Sequence, residues 1–288
     1  MTVKTLILLA LQVAIAGTVF TYGLQATRDD LLYIVHRPGL LLRSLLAMLV
    51  VMPLLVVACV YFLNLPQPTA VVLTALAISP VPPLLPRKQK KAGGVAPYGL
   101  GLLVVLALVS IVTMPLSVAL LTWLFAQPLK VVPAAITKIV LTMIVAPLVA
   151  GMLVSRFAPR VTQHLLTPVR RVAMLLLIVG VLALLAGTWR EIGASTGHWT
   201  VLAIVIFVLA GLLVGHALGG PESEHASVLA LSTASRHPAI ALAVSASNYP
   251  GEQFAPTLAL YLIVCTILAI PYVKWQRSRA AALSSGVP

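Results

Sequence analysis

The sequence predicts an all-α polytopic membrane protein of about nine transmembrane helices, two of them broken, and three observations carry that prediction. Of the 288 residues, 60% are hydrophobic and only 9% are charged, whereas ordinary soluble domains carry about 25% charged residues. The apolar residues fall into runs at 3–24, 39–63, 69–86, 97–125, 131–155, 168–188, 198–218, 226–248 and 254–274; about 20 residues suffice for one span. The basic residues sit mainly in the short links between those runs.

In a bilayer each segment has to satisfy its own backbone N–H and C=O groups, so every run is expected to be helical. A closed β-barrel would need alternating segments of about ten residues, and the chain shows none. The first run is read as a retained span, not a cleaved leader, because the chain after it is just as apolar. The second carries Met52-Pro53 in its interior. The third ends in Ser79-Pro80-Val81-Pro82-Pro83-Leu84-Leu85-Pro86. Each proline removes a donor and clashes with the preceding turn, at about 3 kcal/mol in a helix interior. The run is therefore predicted to break over 80–86, where non-helical backbone has to be buried in protein or line a cavity.

The fourth to seventh runs read as plain spans. Lys138, early in the fifth, is expected to snorkel to an interface, and His216, near the end of the seventh, to be interfacial. The eighth is interrupted by Ser232-Thr233-Ala234-Ser235-Arg236-His237-Pro238. A charge at a span centre costs at least about 2.5 kcal/mol on insertion scales, which marks such residues as functional. The alternative for 232–238 is a polar loop between two short apolar stretches. The ninth run leads into a basic tail.

Arg28, Arg37, Arg43, Arg87, Lys88, Lys90, Lys91, Arg156, Arg160, Arg170, Arg171, Lys274, Arg277 and Arg279 all fall on one side of a nine-span scheme, and only Lys4, Lys130 and Arg190 on the other. That asymmetry predicts a cytoplasmic C-terminus and an outside N-terminus, in the plasma (inner) membrane. Tyr22, Tyr61, Tyr98, Trp123, Trp189, Trp199, Tyr249, Tyr272 and Trp275 lie near run ends, where amphipathic rings favour the interface. The net charge of +13 is thus a topology signal, and no nucleic-acid partner is expected. Cys59 and Cys265 lie within apolar runs, with neither metal spacing nor a disulfide framework.

The whole chain, 1–288, is read as one membrane domain. An N-terminal repeat, 1–125, holds four helices and the break at 80–86; a C-terminal repeat, 126–288, holds five and the break at 232–238. The repeats correspond as an inverted pair if the first lacks its leading helix. Interrupted spans in corresponding positions of two halves point to a transporter site near the membrane midplane. No residue-level repeat is visible, so the symmetry rests on placement.

Met52-Pro53, Asn64-Leu65-Pro66, Ser79-Pro80, Ala92 and Gly94 resemble the bile acid:sodium symporter family, at matching spacings from the second span to the start of the fourth. The resemblance implies a panel domain and a core domain, with two broken helices of the core crossing near the midplane, in the family's nine-helix form. It also exposes departures. Where members carry a Gly-Gly-Thr-x-Ser-Asn type sequence, this chain has Val81, Pro82, Pro83, Leu84, Leu85 and Pro86. Where they carry a glutamate followed by glutamine and asparagine, it has Ser232, Arg236 and His237, and Met48 replaces a glutamine of the second span. The resemblance thus implies that nearly all oxygen ligands of the two sodium sites are lost.

All six acidic residues, Asp29, Asp30, Glu191, Glu222, Glu224 and Glu252, lie in links or at run ends. No carboxylate is left at mid-span to hold a cation or relay a proton, and no metal site or cofactor is expected. Arg236, permanently charged, is the candidate that supplies the positive charge of a sodium ion or binds a substrate carboxylate bidentately. The structural alternative is that it caps carbonyls of the broken helices. His237 is a candidate proton carrier, though burial beside Arg236 opposes its protonation. Ser232, Thr233 and Ser235 are candidate substrate ligands, with satisfaction of freed backbone groups as the alternative. Met48, Pro82 and Pro83 complete the candidate lining. The Arg87–Lys91 stretch is read as a loop anchor. No phosphate loop, Ser-His-acid set or carboxylate pair suggests an enzyme. The expected function is secondary transport of a small organic anion by alternating access, with the lipid bilayer as the other partner. The alternative is a transporter-derived sensor or scaffold that binds a ligand without moving it.

Overall fold

The computed structural model describes residues 3–125, 133–194, 197, 199–249 and 251–285. Among them every regular element is helical. Helix α1 is Val3–Gly23, and α2, Arg28–Leu32, lies in the first link behind a Thr27/Asp30 capping box. The second run forms α3, Pro38–Leu45, and α4, Met52–Leu63, joined without interruption by a wide π-helical turn at Leu46–Val51. Helices α5, Gln67–Ile78, and α6, Leu85–Lys91, are the halves of the third run. Helix α7 is Ala96–Phe125. Helices α8, Pro133–Val140, and α9, Ala146–Phe157, are joined by a second wide turn at Leu141–Val145. Then come α10, Pro159–Ala194, and α11, Thr200–Leu218. The eighth run is split into α12, Ser223–Ala234, and α13, Pro238–Asn248, and α14 is Ala255–Ser285.

Among the described residues six helices are long and apolar enough to cross a membrane: Pro38–Leu63, Ala96–Leu120, Thr137–Phe157, Pro159–Gly187, Thr200–Leu218 and Ala255–Ala280. Leu9–Gly23 and Gln67–Ile78 are shorter apolar helices. Helices α10 and α14 run well past the apolar runs 168–188 and 254–274, through Arg160 and Arg190 and through Arg277 and Arg279. Hydropathy marks where a helix meets lipid, whereas arginine and lysine are themselves good helix formers.

The wide turns have a local cause. Each precedes a proline, Pro53 or Pro147, that cannot donate to the ladder and crowds the turn before it. Widening to i→i−5 spacing relieves the clash: the Met52 N–H goes to Ala47 O, and the Ala146 N–H to Leu141 O. Met48 O is thereby deprived of both donors within its own helix, because Met52 bonds elsewhere and Pro53 has no N–H.

Two groups of helices result. Helices α1, α9 and α10 pack together, and the wide turn Leu141–Val145 that joins α8 to α9 also packs on α1. Their closest approach is at Gly23 and Gly151, where a Cβ on either would strike backbone of the other helix, Leu148 O or Phe20 O. The second group contains both broken runs. Its tightest pair is α11 against α12, where Gly211, Gly215 and Gly219 lie directly on Ala234, Ala230 and Ala226, a small-residue seam of the kind that lets membrane helices approach closely. The groups meet where α10 packs on α14 and α7 on α8.

Candidate functional site

The two breaks meet. Helix α5 ends at Ile78, and Ser79 is extended (φ −77°, ψ 152°), as the residue before a proline must be. Helix α12 ends at Ala234, Ser235 is extended (φ −107°, ψ 122°), and Pro238 opens α13, where its missing N–H leaves no bond unmade. Between the breaks the His237 N–H donates to Pro80 O at 2.9 Å. Half-helix α13 packs on α5, and α12 on α6. Carbonyl ends of α5 and α12 and the amide end of α13 therefore lie together at the crossing, with partial negative and partial positive charge respectively.

Arg236 is 1% exposed. Its Nη1 donates to Ser79 O at 3.1 Å and its Nη2 to Met48 O at 2.9 Å. The first carbonyl caps α5; the second is the one orphaned by the wide turn. Its backbone N–H donates to the Tyr261 hydroxyl at 2.7 Å, and that hydroxyl donates to Ala234 O at 3.1 Å, so Tyr261 splints the break from α14. The Arg236 Nε has no hydrogen-bond partner among the described residues. Neither has either ring nitrogen of His237, which is 2% exposed and leaves the first turn of α13 without a side-chain cap.

The structure thus brings Met48, Arg236 and His237 together at the Ser79–Pro80 break. Pro82, half-buried, and Pro83, buried, continue that same strip. The segment 232–237 is buried throughout, so it is not an exposed loop. Its hydroxyls are engaged: Ser232 Oγ accepts from Gln89 Nε2 at 2.7 Å, Thr233 Oγ1 donates to Leu229 O, and Ser235 Oγ lies 3.5 Å from Cys265 Sγ. None of the six acidic residues is buried.

Sequence reasoning passed over two residues here. Gln89 belongs to the stretch expected to be a basic loop anchor, but it is buried on α6 and ties that half-helix to α12 through Val228 O and Ser232. Tyr261 lies mid-span, away from any interface, and a phenol there needs an internal partner. Tyr98 and His216 also turn inward. Tyr98 is fully buried and hydrogen-bonds Ser44 at 2.8 Å, and His216 bonds the Tyr272 hydroxyl at 2.9 Å. By contrast Tyr61, Trp123, Trp189 and Trp199 are exposed at helix ends, as interfacial rings should be.

The profile of the sodium bile acid symporter family matches residues 12–195, more than half of the chain. The chain belongs to that family. It is accordingly a multi-pass membrane protein of a transporter family. The match takes in the first break and both wide turns and ends before α11, so Arg236 and His237 lie beyond it. No curated protein matches the chain.

Proposed function

We propose that this symporter-family member is a secondary transporter of a small organic anion, working by alternating access without the family's sodium sites. The observation that carries the reading is Arg236. Its guanidinium sits where a bound cation would neutralise the carbonyl ends of the broken helices, and it does so permanently. At the positions where the family resemblance places sodium ligands, Met48, Val81, Pro82, Pro83 and Leu84 bring no side-chain oxygen, and no described His, Cys, Asp and Glu residues cluster as a metal site. That donor set does not fit a sodium ion.

The groups left over suit an anion. A carboxylate at the crossing would meet Arg236 Nε, the His237 ring and the first amides of α13, all donors or adaptable to donation, at the positive end of a helix. On this reading the nine runs are nine spans in repeats 1–125 and 126–288, placed in the plasma (inner) membrane with the N-terminus outside. The second helix group then rocks against α1, α8–α9 and α10 around the crossing.

The test is uptake of labelled small carboxylates and sulfonates into proteoliposomes, with Na⁺ replaced by K⁺ at constant ionic strength. Uptake indifferent to the exchange is the expected result. Uptake that requires Na⁺ would sink the sodium-free cycle, and tight binding without any uptake would favour a sensor.

His237 gives a second expected result. A buried polar group without a partner costs about 1–3 kcal/mol. His237→Leu should therefore raise the melting temperature in detergent while weakening substrate binding at least tenfold. A lower melting temperature would show that the imidazole is structurally satisfied and not held in reserve for ligand.

A further inference from the structure

A second polar cluster lies outside the crossing, where the first link meets the start of α12. His225 bonds Glu222 Oε2 through Nδ1 at 2.8 Å and the Tyr33 hydroxyl through Nε2 at 2.8 Å. Tyr98 of α7 stands edge-on to the same imidazole at 5.5 Å. Arg37 lies over the Tyr33 ring at 3.8 Å, and Arg43 of α3 acts on Glu222 by its charge. From α2 and its C-terminal turn, α3, α7 and the α11–α12 link, the groups facing His225 or its two partners are therefore Tyr33, Arg37, Arg43, Tyr98 and Glu222. Glu224, on α12 itself, is exposed.

Hydrogen-bonding chemistry fixes the proton positions. An ionised carboxylate only accepts, so Nδ1 has to carry hydrogen. In the neutral imidazole Nε2 is then the acceptor, and the Tyr33 O–H must donate to it. Once His225 is protonated, both nitrogens donate. The Tyr33 oxygen becomes the acceptor and its own proton turns away. The Tyr33 contact is then charge-assisted, and the Glu222 contact, charge-assisted already through the carboxylate, becomes an ion pair. His225 holds the Glu222 carboxyl below the ordinary carboxylate range, first by the hydrogen bond and then by charge. Glu222 therefore stays ionised as pH moves between 5 and 8, the interval in which histidine is the usual switch.

We propose that Glu222, His225 and Tyr33 form a proton-operated latch that fastens the first link to the N-terminal end of α12 and tightens in acid. The position gives the latch leverage. The first link joins α1 of one helix group to α3 of the other, and α12 leads from the latch directly to Arg236 and His237. Bearing on the transport cycle rests on the carrier reading above; the latch itself does not.

Two measurements on the full-length protein test it, and neither uses transport. With imidazole-¹⁵N histidine labelling, and His225→Gln to assign the signal, His225 should carry its hydrogen on Nδ1 at pH 8, the tautomer that free imidazole side chains disfavour. Hydrogen–deuterium exchange over 24–38 should be slower in the wild type than in His225→Gln or Tyr33→Phe at the same pH, by a factor several-fold larger at pH 5.5 than at pH 8. An Nε2–H tautomer at pH 8, or a wild-type to variant ratio that does not change with pH, would overturn the latch and leave the carrier reading untouched.

Discussion

Arg236→Met is expected to reduce uptake by at least a hundredfold while leaving protein that still inserts and elutes as a folded species. Methionine keeps much of the arginine stem, so the change isolates the guanidinium. Two charge-assisted bonds vanish, to Ser79 O and Met48 O, each contributing about 1.5–3 kcal/mol. Both carbonyls are left buried, and Met48 O has no donor in its own helix to return to, so the melting temperature in detergent should fall clearly. Arg236→Lys should recover part of the stability and little of the uptake. A lysine supplies charge at one point, whereas the planar fork reaches two carbonyls with Nε to spare. Uptake near the wild-type level in a folded Arg236→Met protein would assign Arg236 a purely structural role. That outcome would take the leading argument away from the sodium-free carrier.

Gly215→Leu is expected to have the largest effect on folding. A Cβ at Gly215 would stand 2.5 Å from Ala230 Cα and 2.6 Å from Leu229 O. The obstruction is backbone, which cannot rotate aside as a side chain can. Overpacking by a few methylenes in a core costs about 1–3 kcal/mol even where side chains adjust; here α11 and α12 have to separate. The seam continues through Gly211 and Gly219, so separation at its centre also loosens the Ala234 end, next to Arg236. Reduced yield of folded protein, or a melting temperature lowered by many degrees, should follow. Gly187→Leu is the control, since nothing described lies within 4 Å of its Cβ position, and it should behave as wild type. Equal melting temperatures for the two variants would show that the α11–α12 seam is less close than described.

The sequence by itself determined the class of the molecule. Hydropathy places the apolar helices because a bilayer leaves the backbone no other way to satisfy its hydrogen bonds. The prolines at 80, 82, 83 and 86 announce the first break, because each removes a donor and a turn. Arg236-His237-Pro238 announces the second, because charge and proline together are not placed in lipid without cause. The short motif from Met52 to Gly94 was enough for the family resemblance. Helix ends were legible only where proline or glycine punctuates them; α10 and α14 outran their apolar runs because charged residues continue a helix as readily as apolar ones.

Only the tertiary structure decided who meets whom. That Arg236 takes the Met48 carbonyl depends on a wide turn in one segment and an extended strip in another, nearly 190 residues away in the chain. Pro53 makes the orphan carbonyl inevitable locally, but the donor that comes to it is chosen by packing. Gln89, Tyr261 and His225 followed the same rule. Each has a partner on a segment distant in the chain (Tyr33 in the case of His225), so spacing along the chain carries no trace of that pair. Periodicity and proline act within a few residues, and hydrogen bonds across a helix bundle are settled by which faces the close glycine contacts bring together.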